Sequence, residues 1–127
     1  MNPVSQTKFG PIEGNCLQAC IATMFDLPIE DVPDFGARSD WYDRFTDFMV
    51  QRFGVQPIDV SLGAWYGNPR GLYIASGPSP RGDFDHSVIL SGGKLAHDPY
   101  PGGTGLDKYT SFTFFVKVID DDSKKSQ

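Results

Sequence analysis

Helical patterns occupy the first half of this chain, and strand patterns occupy the second half. Residues 15–25 and 41–53 repeat apolar side chains every three or four positions, as the buried face of a helix does. From residue 55 onward, short runs rich in aromatic and β-branched residues alternate with Gly- and Pro-rich turns. Because the helices come first and the strands follow, the sequence predicts an α+β domain with N-terminal helices packed on an antiparallel β-sheet.

Turn and capping residues set the expected boundaries of these elements. Asn15 is a suitable N-cap for the first helix, which Pro28 stops, and Ser39 or Asp40 caps a second helix that ends at Gly54. The predicted strands are residues 55–61, 71–76, 86–90, 94–98 and 109–120. We expect a single domain over residues 1–120, followed by a charged, disordered tail at 121–127.

Composition excludes several classes of function. The chain has 127 residues, a net charge of −5 and a pI of about 4.7. An acidic chain without a basic cluster argues against nucleic acid as a partner. There is no apolar run that approaches the length of a membrane span and no signal-peptide pattern at the N-terminus. We therefore expect a soluble, cytoplasmic monomer that does not bind membranes.

The two cysteines, Cys16 and Cys20, lie one turn apart on the first helix, in poor geometry for a disulfide. Both are expected to be free thiols. At the helix N-terminus, Cys16 faces unpaired backbone N–H groups and the positive end of the helix dipole, which favour a nucleophilic thiolate. Cys20 continues the apolar stripe and is interpreted as a buried structural residue.

A histidine and an aspartate lie on the two arms of a predicted hairpin. If the loop comprises the three residues 91–93, His86 lies across from Asp98 on the same face of the sheet. A loop of two residues would instead place Asp98 on the opposite face. His97 alternates with Asp98, so only one of the two is expected to reach His86.

Other side chains are candidates for substrate contacts. Gln6 is the candidate second donor of an oxyanion hole, and Asn15 is its alternative. In the turn at 79–82, Arg81 is placed to bind a substrate carboxylate or phosphate. Trp65 and Tyr66 are candidates for a substrate-binding wall, although aromatic residues more often serve core packing.

The histidines and nearby aspartates also raise the question of a metal site. The sequence has no H-E-x-x-H motif and no paired-cysteine spacing, so we expect neither a metal nor another cofactor.

Three segments resemble small bacterial papain-like cysteine peptidases, above all the bacteriocin-processing peptidase domains that precede ABC transporters. The segments are residues 14–20 (GNCLQAC), 86–90 (HSVIL) and 97–99 (HDP). The resemblance implies a compact papain-like fold in which Cys16 is the nucleophile, His86 the base and Asp98 the residue that orients it. The layout, including the SPRG turn at 79–82, also resembles uncharacterised bacterial and phage proteins.

The expected activity is hydrolysis of, or acyl transfer from, a peptide, isopeptide or other amide through a Cys-His-Asp triad. Two alternatives remain open at this point. One is a non-catalytic binding or inhibitor module, encoded by a bacterium or a phage, that uses the same cleft as a ligand pocket. The other is a metal-dependent hydrolase based on His86, His97 and neighbouring aspartates.

Overall fold

A computed structural model describes residues 1–10, 14–36, 39–62 and 67–119. In these residues, two α-helices and a short 3-10 turn precede five β-strands. The elements are α1 (Cys16–Met24), the 3-10 turn (Ile29–Asp31), α2 (Trp41–Phe53), β1 (Val55–Ser61), β2 (Leu72–Pro78), β3 (Asp85–Ser91), β4 (Lys94–His97) and β5 (Ser111–Lys117). The predicted tail at 121–127 lies outside the described residues.

The five strands form one antiparallel sheet in the order β1-β5-β2-β3-β4. The last strand is therefore inserted between the first two, and β1 and β4 form the edges. Helix α1 packs against β3, and α2 packs against β1. This arrangement confirms the predicted α+β class with helices on an antiparallel sheet.

Alternation along the strands divides the core between the two faces of the sheet. On the helix side, Ile74 and Ile89 pack with Cys20, Ile21 and Met49. Their neighbours along the strands point to the opposite face, because successive side chains of a strand alternate. That second cluster contains Tyr73, Ala75, Val88, Leu90 and Phe112, partly covered by Leu62, Leu106 and Tyr109.

The predicted helix ends are mostly confirmed. Helix α2 ends at Gly54, which adopts a left-handed φ of 67° and donates its N–H to the Val50 carbonyl at 2.9 Å. Helix α1 ends earlier than Pro28, because Asp26 takes a φ of 56° that a right-handed helix does not allow. Neither α1 nor α2, the helices found in the described ranges, combines the length and apolarity needed to cross a membrane.

The hairpin between β3 and β4 differs from the expectation in its loop. Ser91 pairs with Lys94, so the loop has two residues, Gly92 and Gly93, and the three-residue loop is wrong. Both glycines have positive φ, 57° and 89°, as a tight two-residue turn requires. Glycine reaches these angles without a steric penalty, which makes the shorter loop accessible.

A β-bulge then restores the predicted face. Leu90 pairs with Leu95 but Ile89 pairs with His97, so Ala96 is an extra residue in β4. Continued by one residue, this register places Asp98 across from Val88, which shares its face of β3 with His86. Asp98 thus lies diagonally across from His86, within reach of a long side chain.

We predict that Gly77→Ala destabilises the fold. A Cβ at Gly77 would overlap the backbone carbonyl of Lys108. The overlap is with backbone atoms, so it cannot be relieved by rotation of a side chain. We expect a loss of about 1–3 kcal/mol in the free energy of unfolding, the usual cost of overpacking. Urea denaturation measures it, with Lys108→Ala as the control, because that side chain is exposed. Equal stability of both variants would contradict the predicted clash.

Candidate active site

Cys16 is the first residue of α1, and its side chain is half-buried. Nearby hydrogen-bond donors act to lower the pKa of this thiol: the backbone N–H and hydroxyl of Ser87, and the N–H groups of Leu17 and Cys16 itself. The helix N-terminus therefore presents its amides to the sulfur, as the sequence predicts. Strand β3 contributes the other two donors.

Burial nevertheless outweighs these donors in setting the charge of the thiol. Burial raises the pKa of Cys16 above its ordinary value of 9.0, although the hydrogen bonds from Ser87 and the α1 amides act to lower it. The expectation that the helix N-terminus produces a thiolate is therefore wrong for this structure. In the folded protein at neutral pH, Cys16 is a neutral thiol.

Cys20 lies one turn further along α1 and is fully buried. Its thiol points to the Ser87 carbonyl at 3.6 Å. Burial raises the pKa of Cys20 well above 9.0, and the charges of Cys16, once that thiol has ionised, and of Asp98 raise it further. Both cysteines are free, as predicted, and Cys20 has the buried structural position that was expected.

His86 and Asp98 form a buried pair on the face predicted from the sequence. The His86 Nε2 atom lies 2.7 Å from Asp98 Oδ1, and both side chains are almost completely buried. Asp98 Oδ1 also accepts the N–H of Tyr100, and Oδ2 accepts the N–H of Gly105, each at 2.9 Å. The loop that follows β4 thus folds back over the carboxylate.

These contacts determine the protonation states of the pair. Burial on its own would raise the pKa of Asp98, but the hydrogen bonds from His86, Tyr100 and Gly105 together hold it below 3.8. For His86, burial lowers the pKa below 6.5, against the opposing effect of Asp98. At neutral pH the carboxylate is therefore ionised and the imidazole neutral.

The tautomer of His86 follows from these charges. An ionised carboxylate only accepts hydrogen bonds, so Nε2 must carry the proton. Nδ1 is then an unprotonated base, and it has no hydrogen-bond partner in the described part of the chain. The imidazole is arranged to accept a proton at Nδ1.

The thiol and the imidazole are not hydrogen-bonded to each other. Cys16 contacts Ser87, the residue immediately after His86 in β3. Cys16, His86 and Asp98 are thus brought to one place by α1, the start of β3 and the end of β4.

Gln6 is held beside this group by the N-terminal segment. Its backbone N–H donates to the Pro99 carbonyl at 2.8 Å, and Nε2 donates to the Lys8 carbonyl at 2.9 Å. One of the two protons on Gln6 Nε2 is therefore already used, which leaves one as a possible donor to an oxyanion. The Oε1 atom is buried and has no hydrogen-bond partner within the described part of the chain.

Asn15 ties the N-terminal segment to α1 and does not cap the helix with its side chain. Its Oδ1 accepts the N–H groups of Thr7 and Lys8, and its Nδ2 donates to Thr7 Oγ1 and Gln18 Oε1. These contacts use the hydrogen-bonding capacity of the side chain, which leaves none for a substrate. Gln18 in turn donates to the carbonyls of Ile29 and Val32.

Arg81 lies above the ring of Tyr100, with its guanidinium carbon 3.5 Å from the ring centroid. Both residues line a cleft of about 260 Å³ together with Gln6, Phe9, Phe84 and His86. The predicted role of Arg81 near the site is therefore compatible with its position. Trp65 and Tyr66, the candidates for a substrate wall, lie outside the described residues.

A second cavity, of about 280 Å³, opens on the helix side of the sheet next to Cys16. Its walls include Leu17, Ser87, Trp41 and Asp59. Leu17 follows Cys16 in the chain, and Ser87, whose N–H and hydroxyl act on the thiol, also lines this cavity. No sequence pattern indicated it, since its walls come from α1, α2 and four strands.

His97 takes no part in the His86–Asp98 pair. Its Nε2 donates to the Val4 carbonyl at 2.7 Å and so fixes the N-terminal segment to β4. Within the ranges that the structure describes, no three His, Cys, Asp or Glu side chains are grouped to hold a metal ion.

Several residues of the site were not singled out from the sequence. Ser87 binds the Cys16 thiol, and Gly103 leaves the space that the Asp98 carboxylate occupies, since a Cβ there would overlap it. The Gly-rich run at 102–105, which contains Gly103, was not among the candidate site residues. Its position shortly after the HDP segment was the one sequence feature that could have linked it to Asp98.

Comparison of the chain with protein-family models, with curated proteins and with solved structures gives no match. The interpretation of the site therefore depends on its own geometry.

We predict that His86 titrates below its ordinary pKa of 6.5, and that Asp98→Asn moves the pKa of His86 lower still. Removing the carboxylate removes the charge and hydrogen bond that favour the imidazolium. An NMR titration, with His97→Gln used for assignment, measures both values. A wild-type His86 pKa at or above 6.5 would contradict the burial argument.

The same pKa shifts give the folded protein an acid-sensitive stability. The unfolded chain protonates His86 near 6.5, before the folded protein does, so stability falls as the pH drops from 6.5 toward the lowered folded pKa. Asp98 acts with the same sign below 3.8, as the pH falls through its own lowered pKa. Thermal unfolding from pH 7 to pH 3 measures the effect, which His86→Gln should reduce.

Gly103→Ala should disturb the pair without touching either member. The added Cβ displaces the Asp98 carboxylate, so we expect a loss of about 1–3 kcal/mol in stability and a further fall in the pKa of His86. Thr104→Ala, a change at the exposed neighbouring position, is the control. Urea denaturation and NMR titration measure the two effects, and an unchanged His86 titration would show that the loop does not position Asp98.

Proposed function

We propose that this protein is a papain-like cysteine hydrolase or acyltransferase that acts on a peptide, isopeptide or other amide through Cys16, His86 and Asp98. The observation that carries the proposal is the buried His86–Asp98 pair, 2.7 Å apart, which leaves Nδ1 of His86 without a partner in the described residues, while a helix-N-terminal thiol contacts the following residue, Ser87. A merely structural histidine does not need an ionised partner that fixes its tautomer and leaves its other nitrogen unpaired.

In the proposed first step, Sγ of Cys16 attacks the substrate carbonyl carbon while its proton passes to Nδ1 of His86. The new S–C bond forms as the carbonyl electrons move to the oxygen. The resulting imidazolium is stabilised by the Asp98 carboxylate. When the C–N bond breaks, the leaving nitrogen takes the proton from Nδ1, and the acyl group remains on Cys16.

The second step uses water, or an amine in the transferase case, as the acyl acceptor. Nδ1 removes a proton from the acceptor, the new C–O or C–N bond forms, and the C–S bond breaks. The thiolate that leaves takes back the proton from His86, so the site returns to its starting state. The backbone N–H groups at the start of α1 are the proposed donors to the oxyanion in both steps.

The charges at rest favour a general-base mechanism over a preformed thiolate–imidazolium pair. Burial raises the pKa of Cys16 and lowers the pKa of His86, so the proton stays on sulfur until attack. The reactive form then exists between the two pKa values. The rate of acylation should rise with pH through the lowered pKa of His86, as the imidazole becomes available as a base, and then level off before Cys16 ionises above 9.0.

Acylation by p-nitrophenyl acetate tests the proposal without knowledge of the natural substrate. We expect release of nitrophenolate with acetyl-Cys16 detected by mass spectrometry, no acylation of Cys16→Ala, and a rate lower by about a hundredfold or more in His86→Ala. Cys20→Ala is the matched control and should retain the rate, because Cys20 is fully buried. Acylation of Cys16 at the rate of an ordinary free thiol, independent of His86, would contradict the mechanism.

A non-catalytic binding or inhibitor module with the same cleft is the second candidate. The observation that favours it is the Cys16 thiol itself, which is protonated and bonded to Ser87 but not to His86. In that case the pH profile of Cys16 acylation would follow the thiol alone and rise steadily above 9.0.

A further inference from the structure

The cleft beside His86 brings together a cation, an unpaired acceptor and aromatic walls. It has a volume of about 260 Å³ and is lined by Gln6, Phe9, Arg81, Phe84, His86 and Tyr100. In the proposed mechanism His86 gives its proton to the leaving nitrogen, so the leaving group must lie against His86. In this mechanism, the part of the substrate that binds in this cleft is therefore its leaving group.

Arg81 is the anion-binding element of the cleft. Its guanidinium is stacked 3.5 Å above the Tyr100 ring, which limits its orientations and leaves its N–H groups available to a ligand. Its positive charge is close enough to His86 to oppose protonation of the imidazole. A planar guanidinium held in this way suits a carboxylate, which it can bind through two parallel hydrogen bonds.

Gln6 narrows the choice of anion. Its side chain is only 7% exposed, and its Oε1 has no hydrogen-bond partner among the residues that the structure describes. A buried, unpaired acceptor is costly, and a donor from a ligand would satisfy it. The reverse orientation of the amide would place Oε1 against the Lys8 carbonyl, which is unfavourable. The cleft thus requires a ligand with a carboxylate and an N–H, and a fully ionised phosphate has no N–H to offer.

We propose that the cleft binds the C-terminal residue of a peptide or N-acyl amino acid, with Arg81 on its free carboxylate and Gln6 on its amide N–H. Phe9, Phe84 and Tyr100 then favour an apolar or aromatic side chain on that residue. This assignment rests on the proposed function, because it makes that residue the leaving group. With water as the acyl acceptor, the C–N bond is replaced by a C–O bond and a free amino acid is released.

Binding to the Cys16→Ala protein tests the ligand class separately from catalysis. The probes are N-acetylphenylalanine, its C-terminal amide, its N-methyl analogue and phenyl phosphate, compared by calorimetry. We expect the free acid to bind about tenfold or more tightly than the amide, as expected for a charge-assisted pair. Arg81→Gln should remove this preference, and Arg70→Gln, at another exposed arginine, should keep it.

The N-methyl analogue tests the Gln6 contact in the unmutated cleft. It should bind more weakly than N-acetylphenylalanine, and Gln6→Leu should abolish that difference if the variant folds. Equal binding of acid and amide, equal binding of the N-methyl analogue, or binding of phenyl phosphate as tight as that of the acid would overturn the assignment.

Turnover by the wild-type protein separates this inference from the proposed function. Peptides ending in a free carboxylate should be cleaved at the last amide bond, and their C-terminally amidated counterparts should be cleaved much more slowly. Equal cleavage of both would overturn the leaving-group assignment and leave the cysteine mechanism intact. Selective binding of the free acid without turnover of either would support the carboxylate site and overturn the mechanism.

Discussion

The buried Asp98 carboxylate is the interaction on which the site depends. An ionised carboxylate out of water is costly unless hydrogen-bond donors compensate it. Here the donors are His86 Nε2 and the N–H groups of Tyr100 and Gly105. The carboxylate therefore fixes the loop that follows β4 at the same time as it fixes the tautomer of His86.

The join between α1 and β3 is the second constraint. Strand β4 pairs with β3 only from Ile89 to Ser91, so it does not cover the backbone of Ser87. The two thiols of α1, one turn apart, lie there instead. The Ser87 N–H acts to lower the pKa of Cys16, and the Cys20 thiol lies 3.6 Å from the Ser87 carbonyl. Cys16 is thus both part of the helix–sheet contact and the proposed nucleophile. Its burial in that contact keeps it protonated, which is why the proposed mechanism relies on the base at His86.

Much of the fold could be predicted because its signals are local. The periodicities of α1 and α2, the left-handed Gly54 and the strand-forming runs depend on residues close together in the chain. The order of the strands could not be predicted in this way, since β5 enters between β1 and β2 through contacts between distant segments. The loop of the β3–β4 hairpin was also predicted wrongly. The bulge at Ala96, which no local pattern signalled, compensates by one residue and returns Asp98 to the face of His86.

The sequence by itself determined which residues are available for chemistry: a thiol at a helix N-terminus, and a histidine and an aspartate on two arms of a hairpin. These features depend on side-chain type, spacing and capping, which are properties of the chain alone. Only the tertiary structure decided their charges and partners. Burial keeps Cys16 protonated and His86 neutral. The side chains of Asn15 and Gln18 are used to hold the N-terminal segment and the 3-10 turn. Gln6 is left with an oxygen that has no partner in the described residues. The physical reason is that desolvation and hydrogen-bond pairing depend on all the segments that surround a group, most of which are distant in sequence.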